Sequence, residues 1–481
     1  MMDRRESGLL CHVTSLPSPF GIGDLGPAAY DFVDFLAAAK QGWWQVLPVG
    51  PFTAGDISPY RPASAFAGNP LLISPELLAA EGWLDASDLD SLAAHSLPTG
   101  RVDFDAVLRT RPAVIERACR RFLAHGDRAA LDAFCERNSG WLDAYVRWRA
   151  REHADRSDAE QLERCMQYLF DAQWARLRAY AHSKGVRIFG DVPFYVDEMS
   201  ADVAGHPELF KLDDAGRPRA VSGVPPDAFS ETGQLWGNPV YDWEEHARDG
   251  HAWWVARIAR TLERFDLVRL DHFRAIAAHW EVPAGSETAM TGAWVTGPGR
   301  ALLDAFAAAG QIESLVAEDL GTITEDVHEL MRGYDLPGMK VLLFAFDSHT
   351  GGNLYAPHHH VPNGVVYTGT HDNNTARGWF EDDATPETRA HLTRYLGREC
   401  SPADVGEALV RMALASVCRL SILPVQDVLG LDGRARMNHP ARANGNWTWR
   451  LEAGALTPQL AQQLGDMTEA YGRTGASRYR W

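Results

Sequence analysis

Three short apolar stretches of this chain run directly into acidic residues. They are residues 267–270 before Asp271, 314–317 before Glu318, and 365–369 before Thr370, His371 and Asp372. Each stretch has the length and composition of a buried strand, and helix-like sequence lies between them. Repeated strand–helix units predict a parallel sheet, and if that sheet closes into a barrel the three acids lie at its C-terminal mouth. Acids at such a mouth suit chemistry on a neutral, hydroxyl-rich substrate, so sugar transfer or hydrolysis is the leading hypothesis.

The predicted fold is a (β/α)8 TIM barrel of the α/β class, because eight strand-like runs end in polar or turn residues. These runs are 8–13, 45–48, 186–191, 267–271, 314–318, 339–344, 365–370 and 420–425. Apolar residues at a spacing of three to four predict amphipathic helices over 28–39, 171–183, 253–265 and 326–331.

The whole chain, 1–481, is predicted to form a single catalytic barrel domain with three insertions. The interval between the second and third strands is too long for one helix, and residues 76–170 within it predict a helical subdomain. Residues 200–245, which contain glycine, proline and aromatic residues, and residues 276–300, which follow the Asp271 strand, are predicted to be loop regions. Long loops on one face of a barrel usually build the substrate cleft.

Charge and cysteine content restrict the partners and the compartment. The 64 acidic and 46 basic residues give a net charge of −18, which argues against nucleic acid and anionic membranes as partners. The chain has no signal-peptide pattern and no apolar run long enough to span a bilayer. Its six cysteines are scattered without a paired motif, which predicts free thiols and a cytoplasmic location.

The first acid, Asp271, has a basic partner at the right spacing. Alternation along a strand places Arg269 and Asp271 on the same face. A guanidinium beside the carboxyl favours its ionised form, which a nucleophile attacking an anomeric carbon requires. The alternative is a structural ion pair that closes the end of a strand.

The second acid, Glu318, follows an apolar run. A carboxyl group at the edge of a dry site keeps a raised pKa, as a general acid must to protonate a leaving oxygen. Its neighbour Asp319 is predicted to cap the following helix, and the alternative is that both acids are caps.

The third acid, Asp372, lies in a polar run, Thr370 to Asn374, that follows an apolar strand. Such a run has little reason to follow a buried strand unless a ligand uses it. Asp372 is predicted to accept hydrogen bonds from sugar hydroxyls and to strengthen them as the ring flattens toward an oxocarbenium ion.

Two other motifs are weaker. Residues 21–26 match G-x-G-x-x-G, but they do not follow a strand directly and the next strand does not end in an acid, so nicotinamide dinucleotide binding is not predicted. His358, His359 and His360 lack the companion ligands of a metal site. No metal and no cofactor are predicted.

Motifs spread over the whole chain match one family. They are Ser-Leu-Pro-Ser at 15–18, Trp-Gln-Val-Leu-Pro at 44–48, Ser-Pro-Tyr at 58–60, Gly-Asp-Val-Pro at 190–193, Thr-Gly-Gln-Leu-Trp-Gly-Asn-Pro at 232–239, Arg-Met-Asn at 436–438 and Asn-Trp-Thr-Trp-Arg at 446–450. With these motifs and the three acids, the chain resembles the amylomaltases, 4-α-glucanotransferases of the α-amylase superfamily, from end to end.

The resemblance implies roles for individual residues. Asp271 would be the nucleophile, Glu318 the general acid/base, and Asp372 the carboxylate that holds and distorts the donor sugar. Substrate-binding positions would be Ser58, Tyr60, Asp191, Phe229, Gln234, Trp236, Arg269, His272, His371 and Asn438. The implied reaction moves a segment of an α-1,4-glucan, from malto-oligosaccharides, starch or glycogen, to another sugar such as glucose, with retention of configuration and without a cofactor. No obligatory protein partner is implied.

Two positions depart from the family pattern. In the loop that the family uses on the acceptor side, Ala228 stands where a tyrosine is usual, which removes a ring that would contact acceptor glucose. After the Arg-Met-Asn motif, Ala441 replaces the usual glycine. Besides transfer, the sequence leaves open a hydrolase that uses water as its main acceptor, a non-catalytic glucan-binding barrel, and a metal-dependent barrel enzyme.

Overall fold

A computed structural model describes residues 4–475 except 54, 95–99, 152–155, 227–229, 348, 349, 441 and 443. Over these residues the strands are β1 (Glu6–Leu10), β2 (Trp43–Gln45), β3 (Arg187–Val192), β4 (Ala220–Val224), β5 (Gln234–Pro239), β6 (Leu267–Leu270), β7 (Ala278–Pro283), β8 (Ala293–Thr296), β9 (Leu315–Ala317), β10 (Gly338–Val341), β11 (Gly364–Tyr367) and β12 (Leu420–Pro424).

Eight of these strands form a parallel barrel, in the order β10-β11-β12-β1-β2-β3-β6-β9. Each predicted strand corresponds to one of them, with ends displaced by a few residues. The strands are nearly fully buried, and their side chains join one continuous core that includes Trp43, Trp44 and Ile422. Burial from both sides explains their uninterrupted apolar sequences, since helices cover the outside of a parallel barrel.

The two ends of this order, β9 and β10, are joined by hydrogen bonds that close the barrel. The Ala317 N–H donates to the Pro337 carbonyl oxygen at 2.9 Å. One residue beyond Glu318, Asp319 Oδ1 accepts from the Met339 N–H at 2.6 Å. Asp319 therefore bridges two strands, and the prediction that it caps a helix is wrong. A Cβ on Gly338 would lie 2.4 Å from Asp319 Oδ2, so glycine makes room for this bridge.

The helices surround the barrel and fill the long connections between its strands. They are α1 (Pro27–Ala38), α2 (Pro75–Ala80), α3 (Ala86–Ala93), α4 (Phe104–His125), α5 (Arg128–Arg137), α6 (Ser139–Ala150), α7 (Ala159–Ser183), α8 (Ala201–Gly205), α9 (Trp243–Arg248), α10 (Ala252–Arg264), α11 (Arg274–Ala277), α12 (Arg300–Ala308), α13 (Glu325–Gly333), α14 (Ala376–Gly378), α15 (Pro386–Leu396), α16 (Val405–Ala415), α17 (Val425–Val428) and α18 (Pro458–Ala470). Helices α2 to α7 occupy the interval between β2 and β3. The division into one domain with three insertions stays a prediction.

The stretches predicted as loop regions contain four strands that pair with one another. They form an antiparallel sheet in the order β5-β4-β7-β8, called the mouth sheet below. These strands could not be predicted from the sequence because they are short and contain Gly223, Gly237 and two prolines. Glycine and proline are depleted in strands.

Two further expectations concern thiols and membranes. All six cysteines are free, as predicted. Among the residues described, no helix is both long and apolar enough to cross a bilayer.

Candidate active site

The register of the barrel strands brings Asp191, Arg269 and Asp271 together at the C-terminal mouth. Asp191 on β3 is the direct neighbour of Arg269 on β6. Arg269 Nη1 lies 3.0 and 2.9 Å from the two Asp191 carboxylate oxygens, and Arg269 Nη2 lies 2.7 Å from Asp271 Oδ1. One guanidinium therefore holds two carboxylates, and the Asp271 side chain remains 27% exposed toward the mouth.

Burial and charge act in opposite directions on Arg269. Desolvation alone would lower its pKa, but the charges of Asp191 and Asp271 raise that pKa well above its usual value. Arg269 is therefore a permanent cation beside Asp271. Its Nη2 lies 2.7 Å from Asp271 Oδ1, so the cation is in direct contact with the Asp271 carboxyl group.

Glu318 lies one residue beyond β9, at the level of Asp271. Leu270 and Ala317 are neighbours in the β6–β9 register, and the Glu318 N–H donates to the Leu270 carbonyl oxygen at 3.1 Å. The Glu318 carboxyl is buried and accepts two backbone hydrogen bonds, from His272 N–H at 2.8 Å and from Leu320 N–H at 2.7 Å. These bonds fix its orientation beside the Asp271–His272 peptide.

Desolvation raises the pKa of Glu318 to about 7, and the charge of Asp271 contributes to the rise while Arg269 opposes it. A carboxyl group with such a pKa exchanges a proton readily near neutral pH, which general acid/base catalysis requires. The mouth thus holds one acid in contact with a cation and one acid whose pKa lies near neutral pH, and two acids in such different environments can take different roles.

Asp372 stands on the other side of the mouth. Asn438 Nδ2 donates to Asp372 Oδ1 at 2.7 Å, and His371 Nε2 lies 3.3 Å from Asp372 Oδ2. Partial burial alone would raise the pKa of Asp372, but His371 and Asn438 together hold it below its usual range. The Asp372 side chain is 45% exposed, so an ionised acceptor faces the open cleft.

Aromatic rings line the mouth near Asp372. The Tyr60 and His371 rings stack at a centroid distance of 4.7 Å, and the Trp447 ring lies 5.8 Å from Tyr60 and 5.9 Å from His371. Tyr60 Oη also donates to Asp191 Oδ2 at 2.7 Å. These contacts tie the loop that carries Tyr60 to the barrel strands.

The mouth sheet supplies a second aromatic wall near the Asp271–His272 peptide. The Trp236 ring on β5 meets the His272 ring edge-on at 4.7 Å, and Trp236 Nε1 donates to Gln234 Oε1 at 3.2 Å. His272 has a φ of +48°, a left-handed conformation that non-glycine residues adopt only at some cost, often at functional sites. Burial lowers the pKa of His272 to about 4, so its ring is neutral near pH 7.

Comparisons with known proteins identify the family of this chain. The glycoside hydrolase 77 family, described as 4-alpha-glucanotransferase, matches residues 11–161 and 149–457. The chain belongs to this 4-alpha-glucanotransferase family. A 4-alpha-glucanotransferase from Thermus thermophilus is 44% identical over 503 residues, covering 97% of this chain and 98% of its own. One from Streptococcus pneumoniae strain TIGR4 is 41% identical over 499 residues, covering 98% of both chains.

Solved structures confirm the predicted barrel. The amylomaltase from Streptococcus agalactiae, solved in complex with acarbose, superposes with a TM-score of 0.93 at 35% sequence identity, covering 98% of this chain and all of that one. The predicted family, the TIM-barrel fold and the 4-alpha-glucanotransferase activity are thereby confirmed. The roles of individual residues stay predictions.

The structure brings most of the predicted substrate-binding residues of this family member to one mouth. Residues that contact one of the three acids, or contact a residue that does, are Tyr60, Asp191, Trp236, Arg269, His272, His371 and Asn438. Two residues are one step further away: Gln234 Oε1 accepts from Trp236 Nε1 at 3.2 Å, and Ser58 Oγ accepts from the Tyr60 N–H at 3.3 Å. Phe229, Ala228 and Ala441 lie outside the described residues.

Two residues near the site were not assigned a role from the sequence. Arg436 Nη2 donates to the Asp372 carbonyl oxygen at 2.5 Å, and Trp447 lies against Tyr60 and His371. Both residues belong to motifs that carry the family resemblance, so these motifs could have indicated from the sequence that both lie near the site. Among the described residues, no group of three or more His, Cys, Asp or Glu side chains is arranged to hold a metal ion.

Removing Asp191 should destabilise this family member strongly. In Asp191→Ala, Arg269 keeps Asp271 as its remaining acidic partner in a buried position, and breaking a buried ion pair costs about 3–5 kcal/mol. Urea unfolding of wild type and variant measures the loss. Asp90→Asn, at an exposed helix position, is the matched control and should change stability by less than about 0.5 kcal/mol. A loss below 1 kcal/mol in Asp191→Ala would contradict the ion pair's structural role.

Proposed function

We propose that the protein transfers segments of α-1,4-glucans between malto-oligosaccharides by a retaining double displacement. The observation that carries the proposal is the pair of carboxyls at the mouth. Asp271 is held beside the Arg269 cation, whereas the buried Glu318 has its pKa raised to about 7. A retaining mechanism needs one ionised nucleophile and one protonated acid, about 5–5.5 Å apart.

In the first step, Glu318 donates its proton to the glycosidic oxygen while an Asp271 oxygen attacks the anomeric carbon. The bond between this carbon and the glycosidic oxygen breaks, and the released segment leaves with the proton. An ester then joins Asp271 to the donor segment, and Glu318 is ionised. The His272 and Leu320 N–H groups bond both Glu318 oxygens and stabilise that charge.

In the second step, the 4-hydroxyl of an acceptor sugar replaces the released segment. Ionised Glu318 removes the hydroxyl proton, the acceptor oxygen attacks the anomeric carbon, and the ester bond to Asp271 breaks. Two inversions give retention, and both carboxyl groups return to their starting protonation states. Side chains supply the nucleophile and the proton, so the proposed reaction uses no cofactor.

The other side chains of the mouth bind and shape the donor sugar. Asp372, ionised and open to the cleft, accepts hydrogen bonds from ring hydroxyls and strengthens them as positive charge develops on the ring. Asn438 and His371 keep Asp372 in place. Tyr60 and Trp236 are aromatic residues near the acids, and the apolar face of a glucose ring can stack on such rings.

The proposed donors are malto-oligosaccharides and starch- or glycogen-type α-1,4-glucans, with glucose among the acceptors. The acarbose complex of the Streptococcus agalactiae relative supports an oligosaccharide in this cleft. The net charge of −18 argues against nucleic acid and anionic membranes. We propose a cytoplasmic location and no obligatory protein partner.

Incubation of the purified protein with maltotriose tests the function. A transferase forms glucose and a ladder of longer oligomers while the number of reducing ends stays constant. A hydrolase raises the number of reducing ends, and a non-catalytic glucan-binding protein leaves maltotriose unchanged. The activity should be the same in EDTA; loss in EDTA with recovery on adding a divalent ion would contradict the proposed cofactor-free reaction.

Ala228 is expected to make the enzyme lose more of its covalent intermediate to water than relatives with tyrosine there. A ring at position 228 would contact acceptor glucose, and one such contact is worth about 0.5–1.5 kcal/mol, or up to about tenfold in partitioning. Ala228→Tyr should therefore raise the ratio of transfer to hydrolysis, measured as glucose released against reducing ends formed from maltotriose. Ala228→Leu controls for added bulk. An unchanged ratio in the tyrosine variant at intact total activity would show that this position does not govern acceptor choice.

A further inference from the structure

The loop that carries Asp372 is held at both of its ends by one buried carboxyl group. This loop, residues 369–375, connects β11 to α14 and is called the Asp372 loop below. Directly before it, Thr368 Oγ1 donates to Asp427 Oδ2, and directly after it, the Ala376 N–H donates to Asp427 Oδ1 at 2.7 Å. The two oxygens of Asp427 therefore fix the two ends of the loop.

The hydrogen bonds inside the Asp372 loop set its shape. Asn373 Oδ1 accepts from the Thr370 N–H at 2.8 Å and from Thr370 Oγ1 at 2.9 Å, and the Asp372 N–H donates to Thr370 Oγ1 at 3.3 Å. These bonds join residues two or three positions apart, so they form a local turn. The place of that turn on the barrel, and with it the place of Asp372, depends on contacts with other segments.

One segment, residues 427–438, contacts the Asp372 loop at its base and at its tip. Asp427 holds the base. At the tip, Arg436 Nη2 donates to the Asp372 carbonyl oxygen at 2.5 Å, and Asn438 Nδ2 donates to Asp372 Oδ1 at 2.7 Å. Both the backbone and the carboxyl group of Asp372 are therefore held relative to this segment.

Asp427 is itself attached firmly to the barrel. It is 3% exposed and lies on α17, which follows β12 without an intervening residue. Strand β12 pairs in register with β1 on one side and with β11 on the other. A carboxyl group at this position therefore connects the Asp372 loop to the rigid part of the molecule.

The environment of Asp427 is unfavourable for a carboxyl group. Burial raises its pKa to about 6, and the hydrogen bonds from the Ala376 N–H and Thr368 Oγ1 oppose the rise. Both of these donors are neutral, and burying a carboxyl group against neutral partners costs free energy. The geometry explains the residue better than stability does, because one planar group with two acceptor oxygens can reach both ends of the loop.

We propose that Asp427 is a positioning residue for glucan transfer, which keeps Asp372 in its place by holding both ends of the Asp372 loop. The inference rests on the proposed function, in which Asp372 strengthens its hydrogen bonds to the sugar ring as positive charge develops there. Contacts that strengthen only in the transition state affect kcat, whereas contacts made equally in the bound substrate affect KM. Displacement of Asp372 should therefore lower kcat more than it raises KM.

The test measures kcat and KM for maltotriose in Asp427→Ala and in conservative variants. We expect kcat of Asp427→Ala to fall about 10- to 100-fold, as for a displacement of about 1 Å in a catalytic site, with KM changed by less than about threefold. In Asp427→Asn the amide oxygen accepts from the Ala376 N–H and the amide nitrogen donates to Thr368 Oγ1, so at least about a third of kcat should remain. Thr368→Val loses one of the two bonds and should fall between the two, whereas Thr368→Ser should keep kcat.

A matched control separates positioning from loss of stability. Asp88 on α3 is 1% exposed and contacts Arg121 at 3.1 Å, and α3 packs on α2 and α4. Asp88→Ala should lower the urea midpoint of unfolding while kcat and KM stay at wild-type values. Wild-type kcat in Asp427→Ala, or an Asn variant as impaired as the Ala variant, would overturn the proposal. If Asp427→Ala does not fold, a wild-type kcat in Thr368→Val would overturn it instead.

The same assay on Asp372→Ala keeps this inference apart from the proposed function. If Asp372→Ala transfers glucan at the wild-type rate, the proposed role of Asp372 fails, and the positioning role of Asp427 fails with it. If Asp372→Ala is inactive and Asp427→Ala has wild-type kcat, only the positioning role fails. Loss of kcat in both variants, with recovery in Asp427→Asn, would support both.

Discussion

Asp271→Asn is expected to lower the rate of glucan transfer by at least about 10⁴-fold while leaving the protein folded. The amide removes the charge that attacks the anomeric carbon, and loss of a nucleophile is among the most damaging single changes to an enzyme. Asp271 is 27% exposed, and Arg269 keeps Asp191 as a partner, so the barrel should tolerate the change. The measurement is glucose release from maltotriose, with Asp90→Asn as the control for loss of an exposed acid.

Rescue by a small anion distinguishes a nucleophile from a structural acid. In Asp271→Ala, azide can enter the vacated space and attack the anomeric carbon in place of the carboxylate. A single displacement gives a glucosyl azide of inverted configuration, whereas the wild type gives retained products. Full activity of Asp271→Asn on maltotriose, or rescue that returns only retained products, would refute the assignment of Asp271 as the nucleophile.

Glu318→Gln is expected to reduce transfer from maltotriose by about 10²–10⁴-fold, the usual contribution of a general acid/base. The loss should depend on the leaving group. Fluoride leaves without a proton, so α-glucosyl fluoride should still form the covalent intermediate in this variant, and intermediate should accumulate because its breakdown needs a base. A variant that loses fluoride release and maltotriose transfer to the same extent would argue for a structural role of Glu318.

The pH dependence follows from the protonation state that Glu318 needs. Burial raises its pKa to about 7, so the carboxyl is protonated below that pH and ionised above it. In the first step the proton must be present, and kcat/KM for maltotriose should fall tenfold per pH unit above about pH 7. Glu318→Gln should lack this alkaline limb. An alkaline limb that persists in the variant would assign it to another group.

The sequence was informative wherever one local rule sufficed. Burial on both sides makes barrel strands uniformly apolar, so all eight were visible, and alternation alone paired Arg269 with Asp271. The acids lie at strand ends, and parallel register carries strand ends to the same mouth. The three acids could therefore be grouped from the sequence even though about a hundred residues separate the first from the last.

What the sequence did not reveal depends on contacts between distant segments. The mouth sheet pairs β4 and β5 with β7 and β8 across the barrel strand β6, and short strands rich in glycine and proline give no periodic signal. The same holds for Trp447, which reaches Tyr60 from the far end of the chain. The prediction for Asp319 was wrong because an acid that precedes a helix has the sequence pattern of a helix cap. In the structure, Asp319 instead accepts a hydrogen bond from the backbone of β10.

The bridge made by Asp319 concentrates two demands in one dipeptide. In most TIM barrels the strands provide stability and the loops provide activity, so that each property can evolve without the other. Here Glu318 carries the proposed catalytic proton. Its neighbour Asp319 links β9 to β10 by accepting the hydrogen bond of the Met339 N–H. Substitutions that make the barrel more heat-resistant between β9 and β10 would also shift Glu318, the proposed proton donor. Engineering for stability would therefore reduce activity at this dipeptide before it does so elsewhere in the barrel.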